Sequence, residues 1–430
     1  SNLLQSVFGR VSLNYKDRYL LSGTLRADGS SKFHPDHRYG WFPSVSGGWN
    51  IGEEEWWRWP MTDAKIRASY GCTGNQGGIG SYAYMELASG GYNYNGENGI
   101  GFSSAGNKDL KWEKAQQYDV GVDLSFLNNA ITFSADAFIK NTNDLLYAKP
   151  MAATTGYTTY TCNVGSMRNK GIEFTLGGNA RVGDFSWHGD LNISFIRNEL
   201  TSLFDDNEIL TTDAMHALKV GKPLGSFYLI KSLGIYQYDE EVPAKLYAKG
   251  FRAGDVKYDD YNGDGDITAD DMQFCGSANP KFSGGFNNTF RWKGIDLSIF
   301  FTFSYGNKLY ELCNGLDRLG NSLYPLLKST ALGRWTGPGT TNSTPRAIYG
   351  KTDNYVIAGK YTSRFLHDAS YIRCRTASIG YTFPKAWMKA IHVDNLRVYF
   401  QADNLFLITR WPFLDPEVNV SLNATQLGYD

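Results

Sequence analysis

The stretch PKFSGGFNNTFRWKGIDLSIFFTFSYGN, Pro280 to Asn307, contains two strand-like runs separated by nothing more than Lys293 and Gly294. In the second run Ile295, Leu297, Ile299, Phe301, Phe303 and Tyr305 share one face, and Asp296, Ser298, Thr302 and Ser304 share the other, with Phe300 the exception. A period of two marks a strand with one apolar and one polar side. The irregular segments around this pair, roughly 80 residues before it and roughly 60 after it, far exceed the usual connection length. One tight joint set against very long loops is the asymmetry of an antiparallel transmembrane β-barrel, so the expected fold class is all-β.

On either side of this pair the same unit recurs. Ser6–Lys16 and Arg18–Arg26 meet at Lys16 and Asp17, and YGWFPSVSGGWNI leads across EEEWWRWPMTD to Ala64–Cys72. Tyr118–Phe126 and the run from Ile131 to Ile139 meet at Asn128 and Asn129, an Asn-Asn turn signal. Ile172, Phe174 and Leu176 lead to a joint near Val182–Asp184, and Phe185, Trp187, Leu191, Ile193 and Phe195 lead away from it. Tyr371–Phe383 and Asn395–Leu407 form the last pair, joined by PKAWMKAIHVD, which has room for one or two helical turns. The expectation is about twelve strands in six pairs, each a short inner joint followed by a long outer loop. The loops after Asp28, Thr73, Asn143, Glu199 and Asn307 are then extracellular. By the same parity the last strand runs outward, so residues 1–430 read as one barrel portion that stops a strand early.

Composition agrees. The 430 residues carry 42 Lys and Arg against 43 Asp and Glu, a net charge of -1, which excludes an electrostatic nucleic-acid binder. Aromatic content of 15% and 47 glycines suit many strands and turns, and only 13 prolines argue against a disordered linker. There is no apolar run long enough for a transmembrane helix. A mean hydropathy of -0.37 is what alternating strands produce. The opening SNLLQSVFGR has no charged segment followed by an apolar one, which leaves a cytosolic chain or a fragment as the two readings. Five scattered cysteines, Cys72, Cys162, Cys275, Cys313 and Cys374, include no C-x-x-C pair and are expected as isolated thiols with at most one or two loop disulfides.

The sharpest local motif is DYNGDGDITADD, Asp260 to Asp271. It fits an oxygen-ligand calcium loop with Asp260, Asn262 and Asp264 at positions 1, 3 and 5, Gly265 at the turn, the Asp266 carbonyl at 7, Thr268 at 9 and Asp271 at 12, where a longer Glu is usual. A bound Ca2+ would be structural, and a solvated acidic turn is the plainer alternative. Trp56, Trp57 and Trp59 lie on a short-joint side and are expected as membrane-interface anchors. Tyr82, Tyr84, Tyr92, Tyr94 and Phe102 lie in an outer loop and are the better candidates for substrate stacking, against the simpler reading of a self-packed aromatic loop. Glu53, Glu54 and Glu55 are adjacent and read as a solvated turn, and His34 and His37 as exposed loop histidines. No nucleophile elbow or phosphate loop is present, so no catalytic residue and no enzyme activity is expected.

Seven ordered motifs resemble one family over the whole chain. FGRVSLNYKDRYLLSGTLRADGSSKF with YGWFPSVSGGWNI, then IRASYGCTGNQ from Ile66, NKDLKWEKAQQYDVGVD, RNKGIEF, NPKFSGGFN, DASYIRCRTASIGYTFP and LRVYFQADNLF are similar to the SusC/RagA family of TonB-linked outer-membrane transporters. The resemblance implies a 22-stranded barrel in the Gram-negative outer membrane, of which this chain would supply about strands 10 to 21, without plug domain or final strand. It also implies energised import of oligosaccharides or peptides through the TonB complex with a SusD-like surface lipoprotein, the wall standing in outer-membrane lipid. The alternatives are a passive or adhesive outer-membrane barrel, and a soluble calcium-stabilised carbohydrate-binding β protein.

Overall fold

Three of the tight joints are set by paired residues of left-handed backbone. Lys16 and Asp17 have φ of 54° and 56°, Asn128 and Asn129 have 57° and 64°, and Lys293 and Gly294 have 45° and 85°. Paired left-handed residues twist a two-residue turn in the sense the flanking strands need. The computed structural model describes residues 2–57, 61–157, 159–204, 209–312, 326–349, 356–357, 359–390, 392–413, 415–418 and 425–428.

Twelve strands form one sheet: Leu4–Tyr15, Tyr19–Ser30, Tyr39–Asn50, Met61–Asn75, Glu113–Phe126, Ile131–Asn143, Ser166–Val182, Phe185–Ser202, Phe282–Trp292, Ile295–Tyr305, Tyr371–Thr382 and Arg397–Thr409. They lie side by side in chain order, as six pairs of strands require. The last two are joined through a short helix, Lys385–Ala390.

Register carries the two faces across the first eight strands of the sheet. One row runs Leu13, Leu21, Gly47, Ala68, Val120, Ala137, Ile172, Phe195. One residue along, the row reads Asn14, Leu20, Gly48, Arg67, Gly121, Asp136, Glu173, Ser194. Leu13, Leu21, Val120, Ile172 and Phe195 are solvent-exposed. A continuous exposed apolar face of this extent demands a non-aqueous solvent. Phe300, the exception in its strand, rests its ring against Gly285, where a Cβ would come within 3.1 Å. The glycine supplies the space that lets an aromatic sit on the polar face.

The chain divides into two compact units. The first comprises Ser1–Asn207, Ser283–Thr302 and Cys374–Leu405, and the second Glu208–Phe282, Phe303–Arg373 and Phe406–Asp430. The second overturns the expectation of long irregular segments. It contains paired strands Ser226–Ile230 with Met272–Ser277, Ser232–Ile235 with Val256–Tyr258, and Lys308–Tyr310 with Leu366–Asp368. One core gathers Ile230, Tyr236, Leu246, Val256 and Ile357, and another Met215, Phe227, Leu229, Tyr310 and Phe365. Strands of three to six residues are too short to show a period in sequence, and their partners lie far along the chain. The loop after Thr73 likewise holds a hairpin, Leu87–Tyr94 with Glu97–Ser104. Cys72, Cys162, Cys275 and Cys374 are free thiols, so no disulfide forms among them, and Cys313 lies outside the described residues.

Candidate functional site

The polar face of the sheet holds a charge cluster built from three strands. The Arg67 guanidinium donates from Nε to Asp123 Oδ2 at 2.9 Å and from Nη2 to Asp136 Oδ2 at 2.8 Å. Ser134 Oγ donates to Asp123 Oδ1 at 2.7 Å. Gly121 lies opposite Arg67, and a Cβ there would stand 2.7 Å from the guanidinium carbon, so the absent side chain makes the room. Asp119 accepts from Ser69 and Gln117, and Asp296 takes a two-pronged bond from Arg397. A recess of about 430 Å³ lies along this face, lined by Arg10, Ser22, Ser46, Lys65, Arg67 and Asp119 among others. Both signs of charge with hydroxyls between them make a wettable surface for a polar solute. None of these residues stands out in the sequence, although each is a charged or hydroxylic residue at the polar phase of an alternating strand.

The acidic loop is closed by its two end carboxylates. Asp260 accepts from the amides of Gly263 at 2.8 Å, Asp264 at 3.1 Å and Gly265 at 2.7 Å. Asp271, fully buried, accepts from the amides of Tyr261 at 2.9 Å and Thr268 at 2.7 Å. Gly265 has φ +80°, the left-handed turn expected of that position. Asn262 and Asp264 accept from the amides two residues on. Lys249 Nζ bonds both Asp266 oxygens at 2.6 Å and holds that carboxyl below the usual range, and Lys245 Nζ bonds the Asp264 carbonyl. Among the described residues no group of three or more His, Cys, Asp or Glu side chains is arranged to hold a metal ion.

The aromatic candidates separate. Tyr82 and Phe102 are exposed, Phe102 on the hairpin opposite Ala88, whereas Tyr84 packs edge-on against His34 with ring centres 5.8 Å apart. Tyr92 and Tyr94 pair through their backbones with Gly99 and Glu97, and their side chains lie outside the described residues. His34 also faces Asp36 at 3.2 Å, so it is not a plain exposed histidine.

At the short-joint end Tyr15, Tyr19, Trp49 and Trp56 form a chain of rings with centres 6.4 to 6.5 Å apart. Trp57 meets Trp56 edge-on at 5.8 Å, and Trp59 lies outside the described residues. Glu54 corrects the reading of a solvated acidic turn. It accepts from Tyr19 Oη at 2.7 Å and Trp49 Nε1 at 3.0 Å and faces Arg18 at 3.4 Å, and the Tyr19 bond foremost holds its carboxyl below the usual range. The neighbouring Glu53 and Glu55 give no hint of this, because Tyr19 comes from a strand 35 residues upstream.

A family model described as TonB dependent receptor-like, beta-barrel matches residues 3–405. TonB-dependent receptor P39 of Formosa agariphila is 30% identical over 470 residues, covering 100% of this chain and 45% of that protein. TonB-dependent receptor SusC of Bacteroides thetaiotaomicron is 30% identical over 457 residues, covering 98% of this chain and 42% of that protein. The solved structure of the RagAB peptide transporter superposes with a TM-score of 0.83 at 25% identity, over 100% of this chain and 45% of that one. The chain thus spans somewhat under half the length of the curated relatives it matches.

Proposed function

Since the chain belongs to the TonB-dependent receptor β-barrel family, in its SusC and RagA branch, and so to the outer membrane, we propose that its protein imports oligosaccharides or peptides by TonB-driven transport together with a SusD-like surface lipoprotein. The observation that carries this reading is the likeness to the RagAB peptide transporter along the whole chain. The polar face around Arg67, Asp123 and Asp136 supports it, because a polar cargo needs a wettable passage beside an apolar, lipid-facing wall. On this reading residues 1–430 supply wall and outer loops, and the plug domain and TonB contact belong to parts of such proteins that this chain does not span. Tyr82 and Phe102 are exposed candidates for stacking on cargo, with Tyr84, Tyr92 and Tyr94 on the same loop. The test is uptake of fluorescent oligosaccharides and peptides by cells expressing the full-length protein, with and without a working TonB. Uptake of one class that vanishes without TonB is expected, and TonB-independent uptake would favour a passive pore.

Calcium would be held by Asp260, Asn262, Asp264, the Asp266 carbonyl, Thr268 and Asp271, with Lys245 and Lys249 displaced. The closed loop with Gly265 at its turn supports this, and the lysines already on it weigh against tight binding. Calorimetric titration of the full-length protein is expected to show uptake that Asp264→Ala abolishes, and absence of uptake would remove the site.

A further inference from the structure

The outward face of the strand pair Ser166–Val182 and Phe185–Ser202 is a ladder that can be read rung by rung. From the tight joint it runs Val182 with Phe185, Ala180 with Trp187, Gly178 with Gly189, Leu176 with Leu191, Phe174 with Ile193 and Ile172 with Phe195. The next rung is Lys170 with Arg197, and the one after it Arg168 with Glu199. An aromatic and aliphatic surface therefore ends abruptly in charged side chains, three cations with Glu199 at the rim opposite Arg168.

The height of that change matches a membrane boundary. Lys170 stands twelve residues before Val182, and Arg197 twelve after Phe185. At about 3.3 Å per residue and a strand tilt of about 40°, twelve residues rise roughly 30 Å. The apolar band of such barrels is about 25 Å tall, so the cations lie at its outer margin, beside headgroups.

The pairing itself is unfavourable. Like charges directly opposite across an antiparallel pair repel. Lys170, Arg197 and Arg168 are all exposed, and Arg168 is turned to Asn141 Oδ1 at 2.9 Å from Nε. Neither Lys170 nor Arg197 has a carboxylate partner among the described residues. An external anion that bridges both cations removes the repulsion.

We propose that Lys170 and Arg197, with Arg168 at the rim, bind the phosphate-bearing headgroup of an outer-leaflet glycolipid. The acyl chains then lie along Ile172, Phe174 and Phe195, which continue the same face downward. The combination of anionic head and apolar tail separates this ligand from a free anion. The site is independent of the imported cargo, since it is on the opposite face from Arg67.

The test is titration of the full-length protein in detergent micelles with bisphosphorylated lipid A, read by native mass spectrometry. Binding is expected to weaken about tenfold or more in K170Q/R197Q and to stay near wild type in K170R/R197K, because each interfacial cation attracts an anionic headgroup. Removal of the repelling pair should leave folding intact, which unboiled gel migration checks, and if the double variant fails to fold the single R197Q carries the same test. Equal binding by wild type and R197Q or K170Q/R197Q overturns the site. Equal binding of dephosphorylated lipid, or full displacement by equimolar inorganic phosphate, overturns its assignment to a phosphate-bearing lipid.

Discussion

The two compact units put the same residue types to opposite uses. In the first, large apolar side chains such as Val120, Ile172 and Phe195 are exposed and the charged Arg67 and Asp136 pair on the other side of the sheet. In the second, Phe227, Leu229, Tyr310 and Phe365 are enclosed and charges lie mostly at the surface. The sheet is stabilised by backbone ladders and by a lipid solvent, whereas the loop unit has to build a water-excluding core of its own. Loop length alone therefore does not mean disorder: residues enough to form a core formed one.

The largest effect should come from the loop core. Phe227→Ala leaves a cavity among Met215, Leu229, Tyr310 and Phe365 and should cost about 3 to 5 kcal/mol locally. Limited proteolysis should open the second unit while unboiled gel migration, which reports the barrel, stays unchanged. Joint loss of both would show that the two units do not differ in this way. Phe174→Arg, on the outward apolar face, should cost about 2 to 4 kcal/mol in a bilayer. Refolding into lipid vesicles would measure it, and an equal stability of variant and wild type would show that this face is not in lipid. Gly285→Ala brings a Cβ within 3.1 Å of the Phe300 ring, which must give by a few tenths of an ångström, and should cost about 1 kcal/mol. Loss of that penalty in a Phe300→Ala background would tie both residues to the polar face, and persistence of it would separate them.

The smallest effect is a pH dependence confined to the loop unit. Burial pushes the Asp213 carboxyl up, but bonds from the His216 ring and from the amides of Met215 and His216 outweigh it and hold the carboxyl below its ordinary value. A depressed folded-state value gives stability that is present above the unfolded value of about 4 and is lost as pH falls through the folded one. Asp213→Asn should therefore lose on the order of 1 kcal/mol at neutral pH and flatten the acid limb of the loop unit's unfolding curve. Hydrogen exchange followed from pH 6 downward measures this, and an unchanged acid limb would remove Asp213 from the account.

The hairpin joints at Lys16, Asn128 and Lys293 and the alternation of Tyr118 to Phe126 are legible in the sequence because they are local and repeat every second residue. The Asp260 loop is legible as a motif, yet the lysines that reach into it come from Lys245 and Lys249, outside its twelve residues. The role of Glu54 is hidden for a related reason, since Tyr19 and Trp49 reach it only once their strands pair.

The sheet strands, their order and the face each residue takes follow from the chain's local pattern alone, because a strand's period of two is written in neighbouring residues. What those faces meet belongs to the folded molecule: Arg67 bridges Asp123 and Asp136, Lys170 stands against Arg197, and Ile230 packs with Ile357. Cross-strand register and core assembly depend on residues tens to more than a hundred positions apart, and no local period encodes such partners.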